Sequence, residues 1–160
     1  MALFSMKVDN LQQLFVEQLR DLYDGEQQII KALPTLISKA QSSELKSALQ
    51  EHLDVTRTQV KRLDQIFSSL NEQSSGETCK GMKGVLAEGD DLVAKSSDPS
   101  VIDASIITSA QRGEHYEVAG YGPVRNNAKV WGRPRWAKRL TQPISAEKEA
   151  AEQRQKRAVR

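Results

Sequence analysis

Apolar residues recur at intervals of three and four along most of the chain, which is the spacing of one face of an α-helix. The first stripe predicts a helix of about thirty residues that begins after Asp9 or Asn10, since either residue is a suitable N-cap. Pro34 lies inside this stripe, where a proline can kink the last turns. The members of the stripe are Val8, Leu11, Phe15, Leu19, Leu22, Ile29, Leu33, Leu36 and Ala40.

Three further helices are predicted before residue 122. The second begins at Ser42, and its apolar face carries Leu45, Leu49, His52, Thr56, Val60, Leu63, Phe67 and Leu70. The polar stretch 71–76 indicates a loop, and a shorter third helix follows with Met82, Val85, Leu92 and Val93 on one face. The segment 97–99 (Ser-Asp-Pro) is typical of a stop, an N-cap and a first helical position, so a fourth helix is expected from about Ser100 to Tyr121. No segment alternates with a period of two, and the pattern therefore predicts an all-α bundle.

Beyond Gly122 the helical pattern weakens, because prolines at positions 123, 134 and 143 interrupt it. A last helix is expected from Ser145 to Val159, with a thin apolar face. The chain is accordingly divided into a bundle body, residues 1–122, and a C-terminal segment, residues 123–160, that completes the bundle with a final helix.

The net charge of +2 conceals a division between the two parts. Residues 1–122 carry 12 Lys and Arg against 18 Asp and Glu, whereas residues 123–160 carry 11 against 3. The chain is therefore an acidic body with a basic tail, and the two need separate explanations.

The composition excludes several classes of protein. No run approaches the eighteen apolar residues that a membrane span needs, and the N-terminus lacks the features of a secretory signal. The lone Cys79 excludes an internal disulfide and a multi-cysteine zinc site; it lies near a helix start, which favours its thiolate. A soluble, cytoplasmic protein with no membrane partner is expected.

Several ionisable residues fall on the apolar sides of their own helices. At 100° per residue, Glu26 lies at the middle of the first stripe and His52 at the middle of the second. Glu114 and Glu117 straddle the apolar direction of the fourth helix, and Glu147 lies on that of the last one. Burying an unpaired carboxylate costs several kcal/mol or forces it to take up a proton, so these positions require an explanation.

One explanation is a metal site, because facing carboxylates repel each other unless cations neutralise them. Oxygen-rich sites with one or two imidazoles suit iron or manganese, and the chemistry would be oxidation of ferrous iron or reduction of peroxide or oxygen. The pattern departs from the Glu-x-x-His of carboxylate-bridged di-iron bundles. Leu49 stands three residues before His52, Glu117 stands where a His would follow Glu114, and His115 points about 130° away from the core.

Other interpretations stay open. The inward acids can form a buried polar layer that only specifies helix register, in a non-enzymatic interaction or structural protein without metal. Tyr23 and Tyr121 border the stripes and can either donate hydrogen bonds to the acids or pack in the core. In the tail, basic residues beside Trp131 and Trp136 are compatible with nucleic-acid binding, although a solvated basic tail is the better explanation.

Five short stretches together resemble the YciE/YciF family of ferritin-like bacterial proteins, which is linked to stress responses. They are LRDLYDGEQ at 19–27, EHL at 51–53, CKGM and AEG within 79–89, EHYEVAGYG at 114–122 and, more faintly, EKEA at 147–150. The resemblance implies a ferritin-like four-helix bundle with an additional helix, and a homodimer. It also implies a dinuclear iron or manganese site on Glu26, His52, Glu114, Glu117 and Glu147, with Glu51 and Glu88 as weaker candidates.

Overall fold

The structure is a computed structural model that describes the backbone of residues 7–158 and, within that range, the side chains of residues 7–145 and of Glu149. Over these residues the chain forms five α-helices and no strand, which confirms the predicted all-α fold. The helices are α1 (Leu11–Lys39), α2 (Ser43–Leu70), α3 (Lys80–Ala94), α4 (Pro99–Val130) and α5 (Pro134–Ala158). None of the helices in this range is long and apolar enough to cross a membrane.

The starts of α1, α2 and α4 lie where the capping residues predict them. Asn10, Ser42 and Asp98 are the N-caps of α1, α2 and α4, and each side chain accepts a hydrogen bond from a backbone N–H two or three residues later. These bonds satisfy N–H groups that have no partner within the helix. Pro99 occupies the first turn of α4, where the backbone N–H that proline lacks would have no partner within the helix.

The predicted end of the fourth helix is wrong, because α4 continues through Pro123 to Val130. Pro123 removes one backbone hydrogen bond from the helix interior. That loss is offset by packing, since Val124 and Ala128 are fully buried beyond it. Gly132, with φ at +68°, ends the helix in a tight turn, so residue 122 lies inside a continuous element.

The last helix also begins earlier than predicted, at Pro134 instead of Ser145. The segment between α4 and α5 is a short turn that joins two packed helices. Trp136 is buried and stacks on Phe15, with ring centroids 5.8 Å apart, and the guanidinium of Arg133 lies 4.9 Å from the Trp136 ring centroid. Trp131 also contacts Phe15 edge to face. These contacts pack both tryptophan rings against the protein's own side chains, with Trp136 buried and Trp131 half-buried, and nucleic-acid binding by the basic tail stays a prediction.

The hydrophobic core consists of two clusters at opposite ends of the bundle. One unites the first half of α1, the second half of α2, the end of α4 and α5, and includes Phe15, Leu63 and Tyr121. The other unites the second half of α1, the first half of α2, α3 and the start of α4, and includes Leu49 and Ile106. Along α1, α2 and α4, a band of buried polar residues lies between the two clusters.

Candidate metal centre

Four ionisable side chains form the centre of this buried band, which we call the Glu/His layer: Glu26, His52, Glu114 and Glu117. On α1, Glu26 lies between Leu22 of one cluster and Ile29 of the other. Relative exposure is 1% for Glu26, 9% for His52, 0% for Glu114 and 3% for Glu117. The helical spacing thus predicted correctly that these four residues face inward.

The side chains of His52 on α2 and Glu114 on α4 approach each other in the layer. The Nδ1 atom of His52 lies 3.7 Å from Oε1 of Glu114, within ion-pair distance when the imidazole is protonated. The backbone carbonyl of His52 accepts a hydrogen bond of 2.9 Å from the hydroxyl of Thr56, one turn later. Two residues 62 positions apart in the chain therefore face each other across the core.

Tyr121 holds Glu26 by a buried hydrogen bond. Its hydroxyl donates a hydrogen bond of 2.5 Å to Oε1 of Glu26, and both side chains are buried. The bond joins α4 to α1 and directs the carboxylate. Of the two roles considered for Tyr121, packing and hydrogen bonding, the structure shows both, whereas Tyr23 packs edge to face on Phe67.

The remaining predicted residues lie elsewhere. Glu51 is exposed on α2, and Glu88 is exposed on α3, where its carboxylate lies 3.5 Å from Arg112. His115 is exposed, as expected. The backbone of Glu147 is part of α5, but its side chain is not among those that the structure describes.

The donor set of the Glu/His layer suits iron or manganese, because it combines three carboxylates with one imidazole. Donor atoms that share one ion at about 2.1 Å lie about 3 Å apart, close to the 3.7 Å between His52 and Glu114. Among the described side chains, no group of three or more His, Cys, Asp or Glu residues converges closely enough to hold an ion as placed. The layer thus fits a metal in its donor chemistry, and its side chains would have to change conformation to enclose one.

Sequence reasoning missed Gln59, which is fully buried on α2. Gln59 follows His52 by seven residues, two helical turns, so it lies on the same face. That spacing is the sequence signal that places Gln59 in the core. With Thr56, it extends the polar band along α2 beyond the ionisable residues.

Cys79 lies outside the Glu/His layer, between α1, α3 and α4. Its thiol is the N-cap of α3 and contacts Oδ2 of Asp21 and the hydroxyl of Tyr116, each at 3.3 Å. Burial raises the pKa of the Cys79 thiol, although the Tyr116 hydroxyl opposes that effect. The expectation that the helix start favours a thiolate is therefore wrong, because desolvation outweighs it.

A cavity of about 50 Å³ reaches the Glu/His layer from the side of α3. Its lining includes three residues of the layer, His52, Glu114 and Glu117, together with apolar side chains of α1 and α3. Asp90 at its edge is exposed. The buried Glu/His layer therefore borders a cavity.

Comparison with known proteins assigns this chain to a family. Residues 10–159 match the family model described as "Domain of unknown function (DUF892)". Protein YciF of Escherichia coli (strain K12) is 31% identical over 144 residues, which cover 89% of this chain and 87% of YciF.

Solved structures agree with that assignment. A Rhodopseudomonas palustris protein described as "YcfI, a putative structural protein" has a TM-score of 0.90 and 37% identity, covering 95% of this chain and 97% of the other. The "E.coli stress protein YciF" has a TM-score of 0.89 and 30% identity, covering 95% and 96%. A Xanthomonas campestris protein shares the fold, with a TM-score of 0.73 and 21% identity over 92% of this chain and 90% of its own. The family model, the curated relative and the two more similar structures agree with one another. The chain therefore belongs to the DUF892 family, together with YciF.

Proposed function

We propose that the Glu/His layer binds a divalent cation, iron or manganese, and that the protein is a stress-response metalloprotein that handles peroxide or ferrous iron. The stress connection is supported by the E. coli relative, which is described as a stress protein. The dinuclear form of the site, with Glu147 as a further ligand, belongs to the same proposal.

The burial of Glu26, Glu114 and Glu117 in one layer is the observation that carries the proposal. If all three carboxylates were ionised, His52 is the one member of the layer that could supply a positive charge. Isolated buried charges are strongly disfavoured, so the carboxylates must take up protons, find compensating partners or bind cations. A divalent cation at this point would offset the acidic charge directly.

The residues of the layer would have different roles in binding the ion. Glu114 and His52 are the pair already within 3.7 Å, and they would be joined by Glu117 from the next turn of α4. Tyr121 would keep one oxygen of Glu26 directed by its hydrogen bond. A bound iron or manganese would supply redox chemistry that no side chain of the layer provides, and the two hydrophobic clusters would exclude bulk water from it.

Metal analysis of protein purified without chelator tests the proposal, followed by anaerobic reconstitution with ferrous or manganous ion. We expect iron or manganese at one to two equivalents per chain for a mono- or dinuclear site. The double variant Glu114→Gln, Glu117→Gln should lose it while keeping the shape of the layer. Glu51→Gln is the matched control, because Glu51 is an exposed glutamate next to His52. Near-zero metal after reconstitution would rule the proposal out.

A second candidate is a non-enzymatic structural or interaction protein whose buried layer only fixes helix register. It is favoured by the absence of a converging set of three ligands among the described side chains, and by the description of the R. palustris relative as a putative structural protein. Here the variant Glu114→Leu, Glu117→Leu should raise the free energy of unfolding, since apolar replacements of strained buried charges are often stabilising. A cation site would instead make that variant lose metal-dependent stability.

A further inference from the structure

One end of the bundle combines exposed aliphatic side chains with basic residues. It is formed by the start of α1 and by residues 129–135, the turn between α4 and α5, which we call the hairpin tip. The two segments are adjacent because Trp131 and Trp136 contact Phe15 of α1. Leu11 lies one helical turn before Phe15, on the same face of α1 and closer to the end of the bundle.

Exposed aliphatic residues concentrate at this end. Among the described side chains, the exposed large hydrophobic ones are Val8, Leu11, Val101 and Val130. Val130, at the hairpin tip, is 76% exposed, and Leu11 is 57% exposed. Val8 precedes the N-cap of α1, whereas Val101 lies in the first turn of α4, at the other end of that helix. Single exposed hydrophobic residues are ordinary, but a group of them beside charged residues is typical of a binding surface.

The hairpin tip and the helices that flank it are basic. Residues 118–146 contain six Lys and Arg and no Asp or Glu. The six are Arg125, Lys129, Arg133, Arg135, Lys138 and Arg139. None of them joins an ion pair with another described side chain, and no acid stands three or four residues away, where a helical pair would form. At the start of α1, Lys7 and Asp9 offset each other. This end of the molecule therefore presents net positive charge around its aliphatic side chains.

We propose that the hairpin tip and the start of α1 dock on the surface of an anionic phospholipid bilayer. The aliphatic side chains would enter the headgroup region while the cations contact lipid phosphates, and each Lys or Arg near the surface adds to the attraction. The expectation of no membrane partner rested on the lack of a spanning run, and docking needs none. The surface lies at the end of the bundle, beyond the cluster that includes Phe15, so the proposal is independent of the Glu/His layer.

A bilayer suits this surface better than a nucleic acid or a second copy of the chain. A nucleic acid would pair with the cations but would leave Val130 and Leu11 without an apolar partner, and Trp131 and Trp136 already pack on Phe15. Two tips facing each other would bring their cations together. The acidic body of a second copy would attract the cations, but it offers the aliphatic residues little apolar surface.

The protein's own tryptophans report on the hairpin tip. Both tryptophans of the chain lie in or next to it, and Trp131 is half-buried beside Val130. The full chain is mixed with vesicles of equimolar phosphatidylglycerol and phosphatidylcholine, or of phosphatidylcholine alone. We expect binding to the anionic vesicles that weakens as salt rises, with a blue shift of the fluorescence and quenching by brominated acyl chains. Vesicles of phosphatidylcholine alone should bind far less.

Exchange of two exposed cations tests the electrostatic part. The variant Lys129→Gln, Arg135→Gln should bind the anionic vesicles about tenfold or more weakly. The control variant Lys46→Gln, Lys95→Gln makes the same change of charge next to the other hydrophobic cluster, which includes Leu45 and Val93, and should bind as the native protein does. All four side chains are exposed.

Exchange of one exposed valine tests the apolar part. Val130→Ser should weaken binding by about threefold or more, because its side chain would no longer enter the headgroup region. Val101→Ser is the matched control, since Val101 is an exposed valine of the same helix at its other end, and it should have no effect.

Several results would overturn the proposal. They are equal binding to both kinds of vesicle, binding without quenching, and equal losses in the tip and control variants. Tighter binding to a short DNA duplex that depends on Lys129 and Arg135 but not on Val130 would assign the cations to nucleic acid instead. Self-association without lipid that the tip variants abolish would assign the surface to a second copy. The two kinds of vesicle and the brominated lipids decide the matter on the unchanged protein even if a variant fails to fold.

Discussion

At the scale of single residues, Tyr121 and Glu26 show how the fold controls a buried acid. The hydroxyl of Tyr121 donates to the carboxylate at 2.5 Å, in a region that both hydrophobic clusters shield from water. A buried acceptor that loses its donor retains the cost of its lost hydration. Removing the Tyr121 hydroxyl is therefore expected to lower the free energy of unfolding by more than the net contribution of one hydrogen bond.

Replacing Tyr121 by phenylalanine should lower the free energy of unfolding by about 1–3 kcal/mol, because the ring still packs while the carboxylate of Glu26 loses its donor. Urea unfolding at neutral pH measures this. Tyr23→Phe is the control, since the Tyr23 hydroxyl makes no hydrogen bond to any described residue, and its effect should stay within about 0.5 kcal/mol. Equal effects of the two substitutions would contradict the role given to the Tyr121 hydroxyl.

A second residue-scale prediction concerns Asp21, whose pKa is raised above 3.8 chiefly by burial beside Cys79. A raised pKa means that the folded state favours the protonated acid, so this contribution to stability is complete below pH 3.8 and is lost as the pH rises through the folded pKa. Asp21→Asn should become progressively more stable than the native protein over that rise. Unfolding curves between pH 3.5 and 7 for both proteins provide the measurement, and a pH-independent difference would refute the assignment.

At the scale of helices, the starts of α1, α2 and α4 were predictable, whereas the end of α4 and the start of α5 were not. Side chains such as those of Asn10 and Ser42 indicate a helix start because they accept hydrogen bonds from backbone N–H groups in the first turn of the same helix. The extension of α4 past Pro123 depends on Val124 and Ala128 packing against α5 and its neighbours, which local sequence does not reveal. The early start of α5 has the same cause, since Trp136 is helical where it stacks on Phe15 of α1.

The close approach of α3 to α4 gives a prediction at this scale. A Cβ added at Gly89 would lie 2.9 Å from Cβ of Ser109 on α4, whereas one added at Gly84 meets nothing within 4 Å. Gly89→Ala should therefore destabilise the protein by about 1–3 kcal/mol through overpacking. Gly84→Ala should stabilise it by about 0.5–1 kcal/mol, since alanine is the better helix former. Thermal unfolding of the two variants checks both signs, and a stabilising Gly89→Ala would show that the helices are not in contact there.

At the scale of the whole molecule, the bundle is built around an acidic layer between two apolar clusters. The inward direction of Glu26, His52, Glu114 and Glu117 was predictable, because each direction follows from the position within one helix. The proximity of His52 to Glu114 was not, because it depends on where the tertiary fold places α2 relative to α4. The cavity beside Gly113 depends on four helices at once, since residues of α1, α2, α3 and α4 line it. The homodimer, the cytoplasmic location and the role of Glu147 stay predictions.

The cation proposal also predicts a change in global stability. A ligand that binds only the folded chain stabilises it by about 2.7 kcal/mol at a free concentration of 100 Kd. Manganous ion should therefore raise the thermal midpoint of the native protein and of Glu51→Gln, but not that of the variant Glu114→Gln, Glu117→Gln. A rise that is equal in all three proteins would assign the effect to sites outside the Glu/His layer.

The central claim, that the buried acids bind a cation, is tested most directly by anomalous scattering from a crystal soaked with manganous or ferrous ion. The account predicts an anomalous peak within bonding distance of Glu114, with His52 or Glu117 as a further ligand. A crystal that shows no peak at the Glu/His layer under saturating ion would contradict it and would leave the layer as a structural element of the bundle.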